Sequence, residues 1–324
     1  MGSSEKVMPF RAGEWIQVKE WEEIAQTLDA DGTLDGLPFM PEMLESCGRQ
    51  YQVLRYAGQL CVEAPGGIFL SRVFAKPDDI VLLNGVRCSG QSHDGCQRSC
   101  MIFWKTAWLR KCQGARSADP VLQTQHVLAT ERLKVKESPT KYFCQATQLM
   151  KISCMQRRKD TLSQVWRDLR TGAIGIFQMI FLVVRPCFNK LRRNLWGWPH
   201  MGGTLARTPV EHLGLKAGDL VEVKSLKEIQ ATLNSAGRNR GLQCDKGFAP
   251  FCVKQFTVRG RLDRLISEDT GQMRVMDSTV TLEGASCPCA FSIGGCTRYD
   301  FTYFREIWLR KIPNKEEVVR KCRE

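Results

Sequence analysis

The sequence predicts a mainly β protein with some α, made of two tandem copies of one small barrel flanking a basic α+β middle segment. Three observations carry this. The two ends of the chain match at a fixed offset, the matching stretches read as short strands with one small helix, and the segment between them has no counterpart. Ala12 to Leu37, AGEWIQVKEWEEIAQTLDADGTLDGL, pairs without a gap with Ala217 to Leu242, AGDLVEVKSLKEIQATLNSAGRNRGL, 205 positions on. The register holds through Cys47 with Cys252 and Val53 with Val258. After a small shift that pairs Cys88 with Cys287, it settles at an offset of 200, so Cys96 meets Cys296 and AWLRK, ending at Lys111, meets IWLRK, ending at Lys311. The boundaries that follow are 10–112, 113–212 and 213–324.

Each copy opens on a glycine, Gly13 or Gly218, and an alternating strand, WIQVK or LVEVK, whose period of two marks one buried face. A short helix comes next. Ser225 with Glu228 three residues later is a capping box, and Ile24 with Leu28, or Ile229 with Leu233, falls one turn apart on one face. Gly32 and Gly237 are read as the stops of these helices. GLPFMPEM and GLQCDKGF are loops or short strands, and RQYQVLRYA and KQFTVRGRL are strands. SEDTGQM is a hairpin turn leading into the strands of MRVMDSTVTLEG, and FTYFREIWLRK ends as a strand or an aromatic helix. Four or five short strands with one helix suit a strongly curved sheet. Gly218, Asp219, Val221 and Val223 form the Gly-Asp-x-Val-x-Val opening found in SH3-like barrels, and each copy is expected to be one. Such an architecture does not fix a function.

The chain has 324 residues, a size for two or three domains, and a net charge of +13. Positive charge of this size favours an anionic partner: an acidic protein, nucleic acid or a membrane surface. Most of it lies between the copies, where 16 Lys and Arg stand against 6 Asp and Glu, a difference of +10. QRRKD (156–160) and RPCFNKLRRN (185–194), interleaved with Trp166, Trp196 and Trp198, form the basic candidate surface; aromatics among bases suit core packing and also stacking on single-stranded nucleic acid. The longest apolar run, Ala173 to Val184, is shorter than the roughly 18 residues that span a bilayer and reads as a buried strand or core helix. No transmembrane segment is expected.

Fifteen cysteines with no signal-peptide pattern at the N-terminus point to a reducing, cytoplasmic setting, where thiols act as ligands, nucleophiles or small buried hydrophobes. In the first copy Cys47, Cys88, Cys96 and Cys100 can supply four thiolates to one tetrahedral zinc, or hold an iron–sulfur cluster. Were 96–108 helical, Cys96, Cys100, Trp104 and Trp108 would share one face. In the second copy Cys252, Cys287 and Cys296 keep the matched places, Asp300 replaces Cys100, and Cys289 is the substitute fourth ligand. Cys61 and Cys244 are each private to one copy. His93 is an alternative ligand or thiol-activating base, though a solvent-exposed loop residue by its surroundings; Glu42 and Asp35 are candidate acid–base groups with no partner legible.

No HExxH, GxSxG, phosphate-loop or dinucleotide motif is present, so no catalytic residue is named. The expected function is therefore a zinc-binding interaction or accessory module for an anionic partner, an acidic protein or nucleic acid. An iron–sulfur or cysteine-dependent redox enzyme is the first alternative, and a nucleic-acid-binding protein the second.

Overall fold

Ile16 and Val18 alternate with Trp15 and Gln17, and in the computed structural model this stretch is β1 (Trp15–Val18), with Ile16 and Val18 inside and their neighbours at the margin. Residues 9–65, 68–112, 130, 132–196, 201–244, 246–287 and 297–313 are described. Over these the fold is mainly β, in several small antiparallel sheets with a few helices. The chain divides into two units. The first takes the described residues through Val184 together with Ile266–Arg274 and 297–299; the second takes 185–265, 275–287 and 300–313.

The first unit is built on β1, β2 (Gln50–Tyr56), β3 (Ile80–Arg87), β4 (Met101–Lys105) and β5 (Leu109–Lys111). Their order across the sheet is β4-β3-β2-β1-β5, with every neighbour antiparallel. A one-turn helix, α1 (Trp21–Ala25), follows β1. The hairpin Gln59–Ala64 with Ile68–Phe74 is widened to three strands by Ser153–Met155. Two longer helices, α2 (Gln145–Ile152) and α3 (Arg158–Thr171), come from the middle segment, and Gly172 ends α3 at φ 75°, a left-handed cap that glycine accepts without strain. Phe39 meets the rings of Trp104 and Trp108 edge-on at 6.4 and 5.4 Å, and Trp108 Nε1–H donates to Thr27 Oγ1 at 3.0 Å. Burying a side chain such as Phe39 contributes about 1.5–3 kcal/mol.

Helix α4 (Ile176–Trp196) follows, 21 residues long. The second unit then contains β6 (Leu220–Val223), β7 (Gln255–Arg261), β8 (Thr279–Ser286), β9 (Phe301–Arg305) and β10 (Leu309–Lys311), in the order β9-β8-β7-β6-β10. Helix α5 (Leu226–Gln230) opens on the expected capping box, with Ser225 N–H donating to Glu228 Oε2 at 3.0 Å. Phe248 packs edge-on against Phe304 and Trp308 at 5.3 and 5.4 Å, and Trp308 Nε1–H donates to Thr232 Oγ1 at 3.0 Å.

Three expectations need correction. The helices α1 and α5 end at Ala25 and Gln230, well before Gly32 and Gly237; those glycines instead turn the loops that Asp29 and Asn234 close through backbone and side-chain bonds. Residues 96–108 are not a helix: 101–105 are the edge strand β4 and 106–108 a single 3-10 turn, because Met101 to Lys105 are all buried and pair with β3. The apolar run at 173–184 is neither a strand nor buried. It opens α4, with Phe177 89% and Phe181 59% exposed. Among the described residues no helix is long and apolar enough to cross a membrane.

Candidate functional site in the first unit

The antiparallel ladder of β3 and β4 pairs Arg87 with Met101 and runs one step further, where Cys88 N–H donates to Cys100 O at 2.8 Å. Residues opposite each other in such a ladder point to the same face, so Cys88 and Cys100 stand side by side. The second unit has the same bond, Cys287 N–H to Asp300 O at 2.8 Å, with a carboxylate in place of the second thiol. The loop between Cys88 and Cys100 doubles back at Gly90, whose φ is 69°; a Cβ there would lie 1.9 Å from Cys96 O. This close approach tucks Cys96 inside, where its Sγ accepts from Ile266 N–H at 3.4 Å. A fourth thiol, Cys144, is buried at the start of α2.

Cys88, Cys96, Cys100 and Cys144 line one cavity of about 30 Å³, with Met40, Met101, Phe103 and Gln145 among its other walls. That volume holds one or two waters and is about a tenth of a small-molecule site. Burial is the largest influence on the thiols that shift. It pushes Cys144 up to about 11, and it pushes Cys88 up with the charge of Glu42 adding to it. At neutral pH both are protonated and poorly nucleophilic.

His93 is buried, not exposed on the loop. Its Nδ1 lies 2.7 Å from Glu42 Oε1 and its Nε2 3.1 Å from Phe143 O. Burial lowers its pKa, but the hydrogen bond and charge of Glu42 and the carbonyl of Phe143 outweigh that, and the net shift is upward. Both ring nitrogens are engaged, one by Glu42 and one by the Phe143 carbonyl, although His93 also lines the thiol cavity. Glu42 thus has a partner the sequence did not show. Asp35 has two, Lys105 and Lys76, each at 2.8 Å, which hold its carboxyl below the usual range. Beside the cavity, Glu268 is buried between Arg98 at 2.8 Å and Arg298 and also accepts Glu63 N–H at 3.0 Å. Burial would raise the Glu268 carboxyl; the two guanidiniums hold it down.

The structure thus brings together three of the four expected first-copy ligands. Cys47 lies apart in the core, its thiol pushed up to about 12 by burial and then by Glu20 and Glu22. Of the second-copy candidates, Cys252 is half-buried and Cys287 exposed, while Cys289 and Cys296 lie outside the described residues. Cys61 is half-buried and Cys244 is a core residue. Among the described residues, no group of three or more His, Cys, Asp and Glu is placed to hold a metal ion. Sequence reasoning missed Cys144, Arg98 and the Glu268–Arg298 pair. Cys144 has no counterpart in the repeat, which was the signal used to choose thiols.

The expected basic surface is partly visible. Arg158 and Lys159 are exposed in the first turn of α3, and Trp166 is 58% exposed with the Arg170 guanidinium 5.1 Å from its ring. The side chain of Trp196 and the whole of Trp198 lie outside what is described. Comparison with family models, with curated proteins and with solved structures gives no match for the chain.

Proposed function

We propose that the chain is an interaction or accessory module for an anionic partner, and that α3 and α4 make the contact. One observation carries this reading. Among the described residues, eleven of the sixteen large apolar side chains that are exposed lie between Met155 and Leu195, inside the segment that carries +10 of the chain's +13 charge. Apolar surface concentrated in this way marks a binding face, and the basic residues within it set the sign of the partner. Titrating the full chain into fluorescently labelled polyglutamate, and separately into a labelled single-stranded oligonucleotide, tests it. Binding to at least one should be strong at low salt and fall as salt rises. No binding at low salt to either of these, nor to vesicles containing anionic lipid, overturns the reading.

The four-thiol cavity favours a second reading, in which the first unit also holds a soft metal ion, zinc by preference or an iron–sulfur cluster. Cys88, Cys96, Cys100 and Cys144 would be the ligands, with Cys144 taking the part expected of Cys47. The thiols would have to draw together and ionise, so uptake would release protons. The second copy would be the weaker site, because Asp300 stands where Cys100 stands in the first. Elemental analysis with an absorption spectrum should give zinc without colour, or iron with it. Cys96→Ser should lose more metal than Cys296→Ser, and a metal-free, fully folded preparation rejects this reading.

We also read the two sheets as a duplicated unit of SH3-like barrel type. The shared strand order, the offsets of 205, 199 and 200 between equivalent strands and the repeated Trp–Thr bond support it.

A further inference from the structure

Helix α4 has an apolar stripe along its whole length. Phe177, Phe181, Val184, Phe188, Leu191 and Leu195 recur at spacings of four and three residues, and all are more than half exposed. At about 3.6 residues per turn this spacing keeps them on one face. Met179, Leu182 and Val183 are only half-buried, so the first half of the helix is apolar nearly all round. Arg185, Lys190, Arg192 and Arg193 fall in the second half, and the helix contains no Asp or Glu. A phenylalanine-rich stripe on a helix about 30 Å long, whose sequence carries four bases and no acid, is the composition of a helix lying flat in the headgroup region of a membrane.

We infer that α4 docks on a bilayer surface containing anionic lipid, with Phe188, Leu191 and Leu195 entering the acyl boundary and the charge of Lys190, on the polar face about 140° round the helix from the stripe, adding attraction to the anionic surface. The inference names the anionic partner of the reading above and rests on it. A second copy of the helix is the poorer occupant, because each copy brings four Lys and Arg and no carboxylate, so two copies repel. The helix lies on the surface and does not span it.

Flotation of the full chain with vesicles tests this, using phosphatidylcholine alone and phosphatidylcholine mixed with phosphatidylserine. The mixed vesicles should carry the protein up and the neutral ones at least about tenfold less, with binding weakened by salt. Phe188→Asp with Leu191→Asp should abolish flotation while leaving the melting temperature within a few degrees, because both side chains are exposed. Lys190→Glu, which leaves the stripe whole, should weaken binding to the mixed vesicles about fivefold or more. Equal binding to both vesicle types, or full binding by the Asp variant, overturns the inference. A chain that ignores vesicles but binds polyglutamate or the oligonucleotide also overturns it, while leaving the anionic-partner reading intact.

Discussion

Cys47 shows how far burial alone decides the behaviour of a thiol in this chain. It is 1% exposed, among core side chains, and its pKa rises to about 12. A group held protonated in the folded state gives stability that is complete below its unfolded pKa, near 8.5, and fades as pH rises toward the folded value. The protein should therefore weaken from about pH 8.5 upward. Cys47→Ala removes one titrating thiol at a cavity cost that does not vary with pH, so between neutral pH and pH 11 it should lose about 3 kcal/mol less than the parent in urea melts. Parallel pH profiles would show that the thiol is not desolvated. His93 teaches a related lesson. A histidine among Gly, Ser and Asp reads as solvent-exposed, yet the turn at Gly90 folds the loop inward and the buried carboxylate of Glu42 receives the ring. Cys88, Cys96 and Cys100 were legible because the repeat or local spacing marked them; Cys144 was not, because tertiary packing alone brings it to the cavity.

At the scale of elements, one amide joins α2 to the edge of the first sheet. Gln145 Oε1 accepts Phe103 N–H at 2.9 Å, and its Nε2–H groups donate to Phe103 O at 2.9 Å and Pro38 O at 3.0 Å. The side chain thus occupies the hydrogen-bonding places a further strand would take. Gln145→Leu strands these buried backbone groups and should cost about 2–4 kcal/mol, read as a lower urea midpoint; an unchanged midpoint means the edge is satisfied another way. Strands were the legible elements. WIQVK, RQYQVLRYA, KQFTVRGRL and the strands of MRVMDSTVTLEG form where alternation places them, because one buried face imposes a period of two. Periodicity misled where two periods coexist: the four-residue spacing of Cys96, Cys100, Trp104 and Trp108 mimics a helix face, but pairing with β3 makes the second half a strand. For α4, the unbroken apolar run ends at Val184 while the stripe continues at helical spacing to Leu195, and composition does not show which apolar faces stay uncovered.

In the whole molecule, apolar burial, thiols and charge are set in different places. Each unit has its own core; the four-thiol cavity belongs to the first; and, among the described residues, the exposed large apolar side chains concentrate in α3 and α4, within the segment that holds most of the net positive charge. The anionic partner is proposed to bind this last region, and not to be held by net charge spread over the chain. Arg158 and Lys159 are exposed in the first turn of α3, where glutamates would favour the helix dipole, so reversing them should leave the fold intact. Lys227 is exposed on α5 in the second unit and, reversed with Lys216, also exposed in that unit, gives the same change in total charge. The deciding measurement is the polyanion titration at low salt on Arg158→Glu/Lys159→Glu beside Lys216→Glu/Lys227→Glu. The account predicts at least about a tenfold loss of affinity for the first pair and little change for the second. Equal losses for the two pairs would contradict it.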